Sequence, residues 1–222
     1  MHLYFSTPFG VASLHVDYTN PFWVASQFFA FLAFIFSVWS WQIKEKVRMM
    51  TYVGTFSAFL AISASLLQNY TLGVLFGLAA IRNFVFSNID GRIAKGEEIP
   101  KRVPYTFAGI FAFATIASTI ILVYIVQVPS VGAWLEWLIC VTLLGLIIGN
   151  VQEGTDLMRV SFIMNRIFNI INHAYFNNII AVIIAVSAIG SNIIFYLREL
   201  IGSLKARKAT ANNLQTTDDD TA

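Results

Sequence analysis

The sequence is poor in charge, in cysteine and in proline. Only 12% of its 222 residues are charged, about half the share found in a soluble globular domain. Together with 57% hydrophobic residues, this composition excludes an ordinary soluble domain and is typical of a membrane protein. A single cysteine, Cys140, excludes an internal disulfide and a cysteine-based metal site. The five prolines lie in loops or at helix starts, so no predicted helix is interrupted.

Signatures of catalysis are also missing. The sequence has no cluster of metal ligands, no carboxylate pair near a predicted membrane midplane and no glycine-rich phosphate loop. We therefore predict that the protein is not an enzyme and has no cofactor, no metal site and no catalytic residue. Nucleic-acid binding has no support either. Residues 1–21 lack a basic n-region, so we expect no cleavable signal peptide.

What the sequence does contain is a series of apolar segments. A helix needs about 20 mainly apolar residues to cross a bilayer. We predict an all-α membrane protein with seven transmembrane helices, of which the third and sixth are short. The segments are residues 22–43, 49–67, 71–88, 104–127, 132–150, 157–174 and 176–198.

Lysine and arginine occur in alternate connections along the first four segments, and again in the C-terminal tail. The positive-inside rule places such connections in the cytoplasm. Seven helices then put the N-terminus outside the cell (inner, cytoplasmic) membrane and the C-terminus in the cytoplasm, whereas six or eight would misplace one basic end. The basic connections are 44–48, 88–103 and the C-terminal tail; those without Lys or Arg are 1–21, 68–71, 128–131 and 173–178.

The two halves of the sequence resemble each other. A shift of 109 residues places Asn69 on Asn178 and Asn83 on Asn192. Helices one to three then overlay helices five to seven in the same orientation, which is a parallel repeat of the kind that some secondary transporters use. We predict two parallel three-helix bundles joined by a connector helix. The predicted parts are an extracytoplasmic segment (1–21), bundle one (22–90), a cytoplasmic loop with the connector helix (91–131), bundle two (132–200) and a disordered cytoplasmic tail (201–222).

Two short motifs resemble a known family. The stretch 80–83, Ala-Ile-Arg-Asn, resembles the Asn-Ala-Ile-Arg stretch of the YgjV-like bacterial inner-membrane proteins, with Ala79 where the family has asparagine. The Asn-His-Ala-Tyr-Phe turn at 172–176 is similar to their His-Asn-aromatic turn. The resemblance covers roughly residues 40–90 and 155–200. It implies a multi-pass inner-membrane protein and, more distantly, the three-plus-one-plus-three helix architecture of the SWEET, PQ-loop and PnuC-type transporters. It implies no substrate. The Pro-Gln dipeptide and the hinge prolines of those transporters are absent, so their mechanism is not carried over.

Arg166 is the most informative single residue. It lies roughly nine residues into the sixth segment, or roughly 13 Å deep for the rise of a helix. A charge near the midplane is costly and usually functional, and no acidic residue is predicted at that depth. Arginine suits a carboxylate or a phosphate ligand. The alternative is that Arg166 reaches an interface or bonds to backbone carbonyls.

Asparagines form a stripe on the same helix. Asn165, Asn169 and Asn172 share one face, and Arg166 and His173 lie one residue round. Such a stripe faces the interior of a helix bundle. It either lines a solute path or holds helices together, and the sequence favours neither. His173 either changes its protonation near neutral pH or is a hydrogen-bonded turn residue.

Arg82 and Asn83 lie roughly six residues from the predicted end of the third helix. Arg82 either extends to the interface or lies near a cytoplasmic gate, and Asn83 is predicted to face Asn192. Glu136, between two tryptophans, is predicted to be interfacial. The candidate substrate-binding residues are Arg166, Asn169, Asn165, Asn192, Asn83, Arg82 and His173.

Our hypothesis is transport of a small polar or anionic solute by alternating access, with the lipid bilayer as the surrounding partner and a homo-oligomer left open. The alternative is a non-transporting membrane protein: an assembly partner, a lipid-binding protein or a sensor. The Gly-xxx-Gly patterns at 73–77 and 145–149 predict tight internal packing rather than a dimer interface.

Overall fold

The computed structural model describes residues 2–7, 10–15, 19–43, 45–128, 131–151, 156–191, 193, 194, 197, 201 and 202. Within these residues the chain forms a helical bundle preceded by a two-stranded antiparallel hairpin, β1 (His2–Thr7) and β2 (Gly10–His15). The helices are α1 (Pro21–Gln42), α2 (Lys46–Leu66), α3 (Tyr70–Ala94), α4 (Arg102–Ile120), α5 (Ala133–Val151), α6 (Asp156–Tyr175) and α7 (Ile179–Ser191). One π-helical turn, Ile121–Ile125, extends α4.

Each of the seven predicted segments overlaps one of these helices, so the all-helical class of the bundle is confirmed. Four helices, α1 to α4, are long and apolar enough to cross a membrane, and α5 and α7 contain shorter apolar stretches. Helix α6 is amphipathic instead: Asn165 and Asn169 on one face are buried, while Val160 and Ile167 on the other are exposed. Its polar face lies in the bundle interior, which explains its low overall apolarity. Seven crossings of the membrane remain a prediction.

Helix α3 is longer than predicted. The sequence Asp-Gly at 90–91 resembles a turn, so the predicted helix ended at residue 88, whereas the observed helix ends at Ala94. In the structure Asp90 forms an ion pair with Lys46 of α2 at 3.0 Å, and Ile89 packs into a buried apolar cluster. These contacts keep the helix alongside α2 as far as Ala94. The chain leaves the helix only at Gly96, whose φ of +86° is a conformation that glycine adopts without strain.

The core consists of two apolar clusters. The larger one joins α1, α2, α3, α5 and α7, and the smaller one joins α2, α3, α4 and α5. Large apolar side chains on the outer faces of the helices, such as Phe31, Phe113 and Val141, are exposed. A surface of this kind is suited to contact with lipid rather than water. The larger cluster is built on Ala33, Leu60, Leu75, Ile139 and Ile184, and the smaller on Met50, Phe86, Phe111 and Ile147.

Glycine brings α3 close to α2. A Cβ atom on Gly73 would lie against Ser65 Oγ and 3.3 Å from the carbonyl oxygen of Ala61. Ser65 Oγ already donates a hydrogen bond to that same carbonyl at 2.8 Å, so it cannot move without losing this bond. Gly77, one turn further along α3, has no atom within 4 Å of its Cβ position.

This difference predicts opposite effects of the same substitution. We expect Gly73→Ala to lower the free energy of unfolding by about 1 kcal/mol or more, because the added methyl group overpacks the α2–α3 contact. Gly77→Ala is expected to be neutral or to stabilise the helix by about 0.5–1 kcal/mol. Thermal melting of the two purified variants in one detergent measures both. Equal melting temperatures would contradict the close approach at Gly73.

Candidate functional site

One end of the bundle, which we call the turn end, carries two turns of the same geometry: α2 to α3 at residues 67–69, and α6 to α7 at residues 176–178. Gln68 and Asn177 have left-handed φ values of 61° and 59°. The next residues, Asn69 and Asn178, donate their backbone N–H groups to the carbonyls five residues earlier, at 3.0 and 2.8 Å. Both helices thus end in a Schellman motif.

Asn69 and Asn178 also connect the two parts of the bundle. Each Oδ1 accepts from the backbone N–H three residues later, at 3.3 Å, and so caps the next helix. Asn69 Nδ2 donates to Asn172 Oδ1 of α6 at 2.5 Å. Asn178 Nδ2 donates to Ser63 Oγ of α2 at 2.8 Å, and Ser63 bonds to Ser26 at 3.0 Å. Each turn is therefore hydrogen-bonded to the helix that precedes the other turn.

The asparagine stripe of α6 faces the interior, as the sequence predicted, and contacts α5. Asn172 Nδ2 donates to Glu136 Oε1 at 3.0 Å. Asn165 Nδ2 donates to Thr142 Oγ1 at 2.9 Å, and Asn169 Nδ2 donates to Asn165 Oδ1 at 2.8 Å. All these side chains are buried. Asn169 Oδ1 has no hydrogen-bond partner among the described residues, so part of the stripe is bonded between helices and part is not.

Glu136 was not among the predicted site residues, and its interfacial depth in the membrane remains a prediction. Its exposed fraction is 0%, because it lies on the inner face of the first turn of α5 while Trp134 faces outward. The sequence signal that could have found it is the 109-residue shift, which places Gln27 on Glu136. Gln27 is also buried, and its Oε1 accepts from the backbone N–H of Ile180 at 3.1 Å.

His173 takes part in the α6–α7 turn through its backbone, because its carbonyl oxygen accepts a hydrogen bond from the Asn178 N–H at 2.8 Å. Its imidazole is buried and stacks on the ring of Phe76, with centroids 5.9 Å apart and an angle of 5° between the planes. Neither ring nitrogen has a hydrogen-bond partner among the described residues. The ring lies inside the bundle because α6 continues to Tyr175 before the chain turns.

Arg166 lies near the middle of α6 and is only 3% exposed. The alternative in which Arg166 reaches an interface is therefore wrong. Its guanidinium carbon lies 4.8 Å from the centroid of the Phe56 ring of α2. Such a cation–π contact stabilises a cation away from water without neutralising its charge.

Arg82 and Asn83 form a second buried polar site between α3, α4 and α5. Arg82 is 6% exposed and lies at the middle of α3, so its predicted closeness to a helix end is wrong because α3 extends to Ala94. Arg82 Nη2 donates a hydrogen bond to Asn83 Oδ1 at 3.3 Å. Arg82 Nε and Asn83 Nδ2 have no acceptor among the described residues. Arg82 lines a cavity of about 10 Å³, shared with Phe111 and Thr115, which is room for about one water molecule.

The predicted site residues therefore form two groups. Those on α6 lie together in the polar core below the turn end, and Arg82 and Asn83 lie between α3, α4 and α5. Asn192 lies outside the described residues, and its pairing with Asn83 remains a prediction. The described part of the chain contains no group of three His, Cys, Asp or Glu side chains that could hold a metal ion.

Comparison with known families adds one finding. Residues 24–95 match the Imp-YgjV family, described as bacterial inner membrane protein. The resemblance seen in the sequence is confirmed over this Imp-YgjV region, which contains α1 from Val24, α2, and α3 with Arg82 and Asn83. The second resembling stretch, roughly 155–200, lies outside the match. Together with the apolar helices, the match identifies a multi-helix membrane protein. No curated protein and no solved structure matches the chain.

Proposed function

We propose that the protein is a transporter that moves a small polar or anionic solute across the bacterial inner membrane by alternating access. The observation that carries the proposal is Arg82. A permanent cation is buried at the middle of a membrane-length helix, with its Nε and the neighbouring Asn83 Nδ2 lacking acceptors among the described residues. Charges at this depth are expensive and usually mark a solute or ion pathway. The donors in this site fit an anionic oxygen.

Arg166 supports the same proposal from the other side of the bundle. It is a second buried guanidinium at the middle of a helix. Arginine presents a planar set of donors that matches carboxylate and phosphate groups. Two such cations in the interior of the bundle favour a solute that carries negative charge.

The two turns support the proposed parallel repeat. Gln68 and Asn177 are separated by 109 residues, and so are Asn69 and Asn178. The side-chain amides of Asn69 and Asn178 donate to Asn172 and Ser63, which are also separated by 109 residues. Equivalent residues thus bond crosswise, as expected for two bundles related by an axis along the membrane normal. In such transporters the site lies between the repeats, and the repeats rock against each other. We propose the three-plus-one-plus-three arrangement on this basis.

The small cavity at Arg82 is consistent with a closed conformation. About 10 Å³ holds no solute larger than water, so access requires the helices to separate. The basic connections, 44–48 and 88–103, support an orientation with the turn end outside and the C-terminus in the cytoplasm. The proposal requires no catalysis, cofactor or nucleic acid.

A second candidate, a non-transporting membrane protein such as an assembly partner, a lipid-binding protein or a sensor, is favoured by a different observation. Asn69, Asn165, Asn172 and Asn178 are bonded pairwise between helices. Side-chain hydrogen bonds of this kind hold membrane helices together. On this view the buried arginines contribute to stability alone.

A thermal-shift experiment separates the two candidates. Wild type, Arg82→Met and Arg166→Met are melted with phosphate, sulfate, succinate, glucose or uridine. A ligand at about 100 times its Kd adds about 2.7 kcal/mol of stability, which corresponds to a shift of about 5–10 °C for a protein of this size. We expect one anion to shift the wild type in this way and to leave both variants unshifted.

The control is Arg92→Met, which removes an exposed arginine that pairs with Glu97 at 2.7 Å. It should shift like the wild type. If no compound stabilises the wild type, and both arginine variants melt earlier than Arg92→Met, transport of these solute classes is contradicted and the non-transporting candidate is the better one.

A further inference from the structure

Glu136 is a buried carboxyl group that the proposed anion site does not use. Oε1 accepts one hydrogen bond, from Asn172 Nδ2 at 3.0 Å, and Oε2 has no partner among the described residues. A carboxylate without compensation is costly in such a site, whereas a protonated carboxyl group carries no charge. The ion pairs of the described residues do not include Glu136; they are Lys46–Asp90, Arg48–Glu45 and Arg92–Glu97.

Titratable side chains in the interior of the bundle lie on two of the helices around α5. Helix α6 presents Arg166 and His173, α3 contributes Arg82, and the extension of α4 contributes Tyr124, which accepts a hydrogen bond from Trp137 Nε1 at 2.9 Å. Helices α1 and α7 contribute no titratable side chain within their described residues. His173 follows Asn172 in the sequence, and the buried thiol of Cys140 lies one turn after Glu136 on α5 itself.

Other buried polar atoms without hydrogen-bond partners among the described residues lie on α3 and α6. Thr71 Oγ1 on α3 and Asn169 Oδ1 on α6 are buried acceptors without hydrogen-bond partners among the described residues. Both His173 ring nitrogens are also without partners there. Carboxyl and imidazole groups inside membrane proteins serve in proton relays.

We propose that Glu136 is a proton-binding site and that its proton keeps the turn end closed. A proton from the water at the turn end forms an O–H bond at Oε2, and the neutral group is stable in the dry core. Loss of the proton leaves a carboxylate that must be hydrated, so water enters and the link from Glu136 through Asn172 to Asn69 loosens. The inference rests on the proposed transport function for its role, in which the proton is the coupling ion.

Infrared difference spectroscopy of the purified protein tests the site without any solute. The pH is changed from mildly acidic to alkaline while the C=O stretch of protonated carboxyl groups is followed. We expect one carboxylic-acid band that is present at neutral pH, disappears as the pH rises and is absent from Glu136→Gln, which keeps the acceptor for Asn172. Glu45→Gln is the matched control, because Glu45 is exposed and pairs with Arg48, and it should keep the band.

The same change of pH is expected to alter hydrogen–deuterium exchange at the turn end. After correction for the intrinsic, base-catalysed rate of amide exchange, the protection of peptides covering 67–73 and 169–178 should fall at alkaline pH in the wild type and stay constant in Glu136→Gln. Carboxyl-labelled glutamate in the wild-type protein should shift the band, which assigns the band to a glutamate rather than an aspartate without any substitution.

A band that survives in Glu136→Gln, a band that the label leaves in place, or the absence of a band in the folded wild type would overturn the proton-binding site. Equal protection from exchange at acidic and alkaline pH in the wild type would overturn the link between this proton and the opening of the turn end. The titration contains no solute, so a negative solute screen and a negative titration are separate results.

Discussion

Replacing Asn172 by leucine is expected to lower the free energy of unfolding by about 3 kcal/mol or more. Leucine has a similar volume but cannot bond to either partner. Asn69 Nδ2 and Glu136 Oε1 would both remain buried without a hydrogen bond, and each such group costs about 1–3 kcal/mol. For a protein of this size the melting temperature in detergent should fall by about 6–12 °C.

Two matched variants make this prediction specific. Asn88→Leu is the same substitution at an exposed position of α3, and it should change stability by about 0.5 kcal/mol at most. Combining Asn172→Leu with Glu136→Leu should recover part of the lost free energy of unfolding. Replacing both partners by apolar groups removes the buried Glu136 oxygen that would otherwise have no hydrogen bond. If Asn172→Leu were as mild as Asn88→Leu, Asn172 would not be the link between α3, α5 and α6.

Much of the fold could be predicted from the sequence, because helices in a membrane need long apolar segments. The end of α3 could not. Asp90 and the glycine after it have the composition of a turn, and only the ion pair with Lys46 and the burial of Ile89 keep them helical. These contacts come from α2 and from the core, so no local pattern contains them. Because the end of α3 was predicted too early, Arg82 was predicted to lie too close to that end.

The candidate site could be predicted in part. The spacing of the asparagines on α6 correctly indicated a polar face inside the bundle. The partners of these residues could not be predicted, because Thr142, Glu136 and Asn69 lie far away in sequence. Glu136 was assigned to the interface because tryptophans flank it, and its burial inside the bundle was not predicted, because that depends on which face of α5 packs inward. The equivalence of Asn69 and Asn178 was the most useful signal, since both occupy the same place in their turns.

The central claim is that the polar core of α6 belongs to a path that opens to each side of the membrane in turn. Asn169 tests it best, because its exposed fraction is 0% and its Oδ1 has no partner among the described residues. The only cysteine, Cys140, is also buried, so a Cys140→Ser background leaves a cysteine at position 169 as the single reporter. Reaction with a charged, membrane-impermeant methanethiosulfonate reagent needs no knowledge of the solute.

Two controls accompany the reporter. Ala185→Cys lies in the apolar core and should remain unreactive in right-side-out and in inverted vesicles. Lys95→Cys lies on the exposed α3–α4 connection and should react only in inverted vesicles, given the proposed orientation. The account predicts that Asn169→Cys reacts in both preparations, because each conformation admits water from one side. An Asn169→Cys protein that stays unreactive in both, while Lys95→Cys reacts, would contradict it.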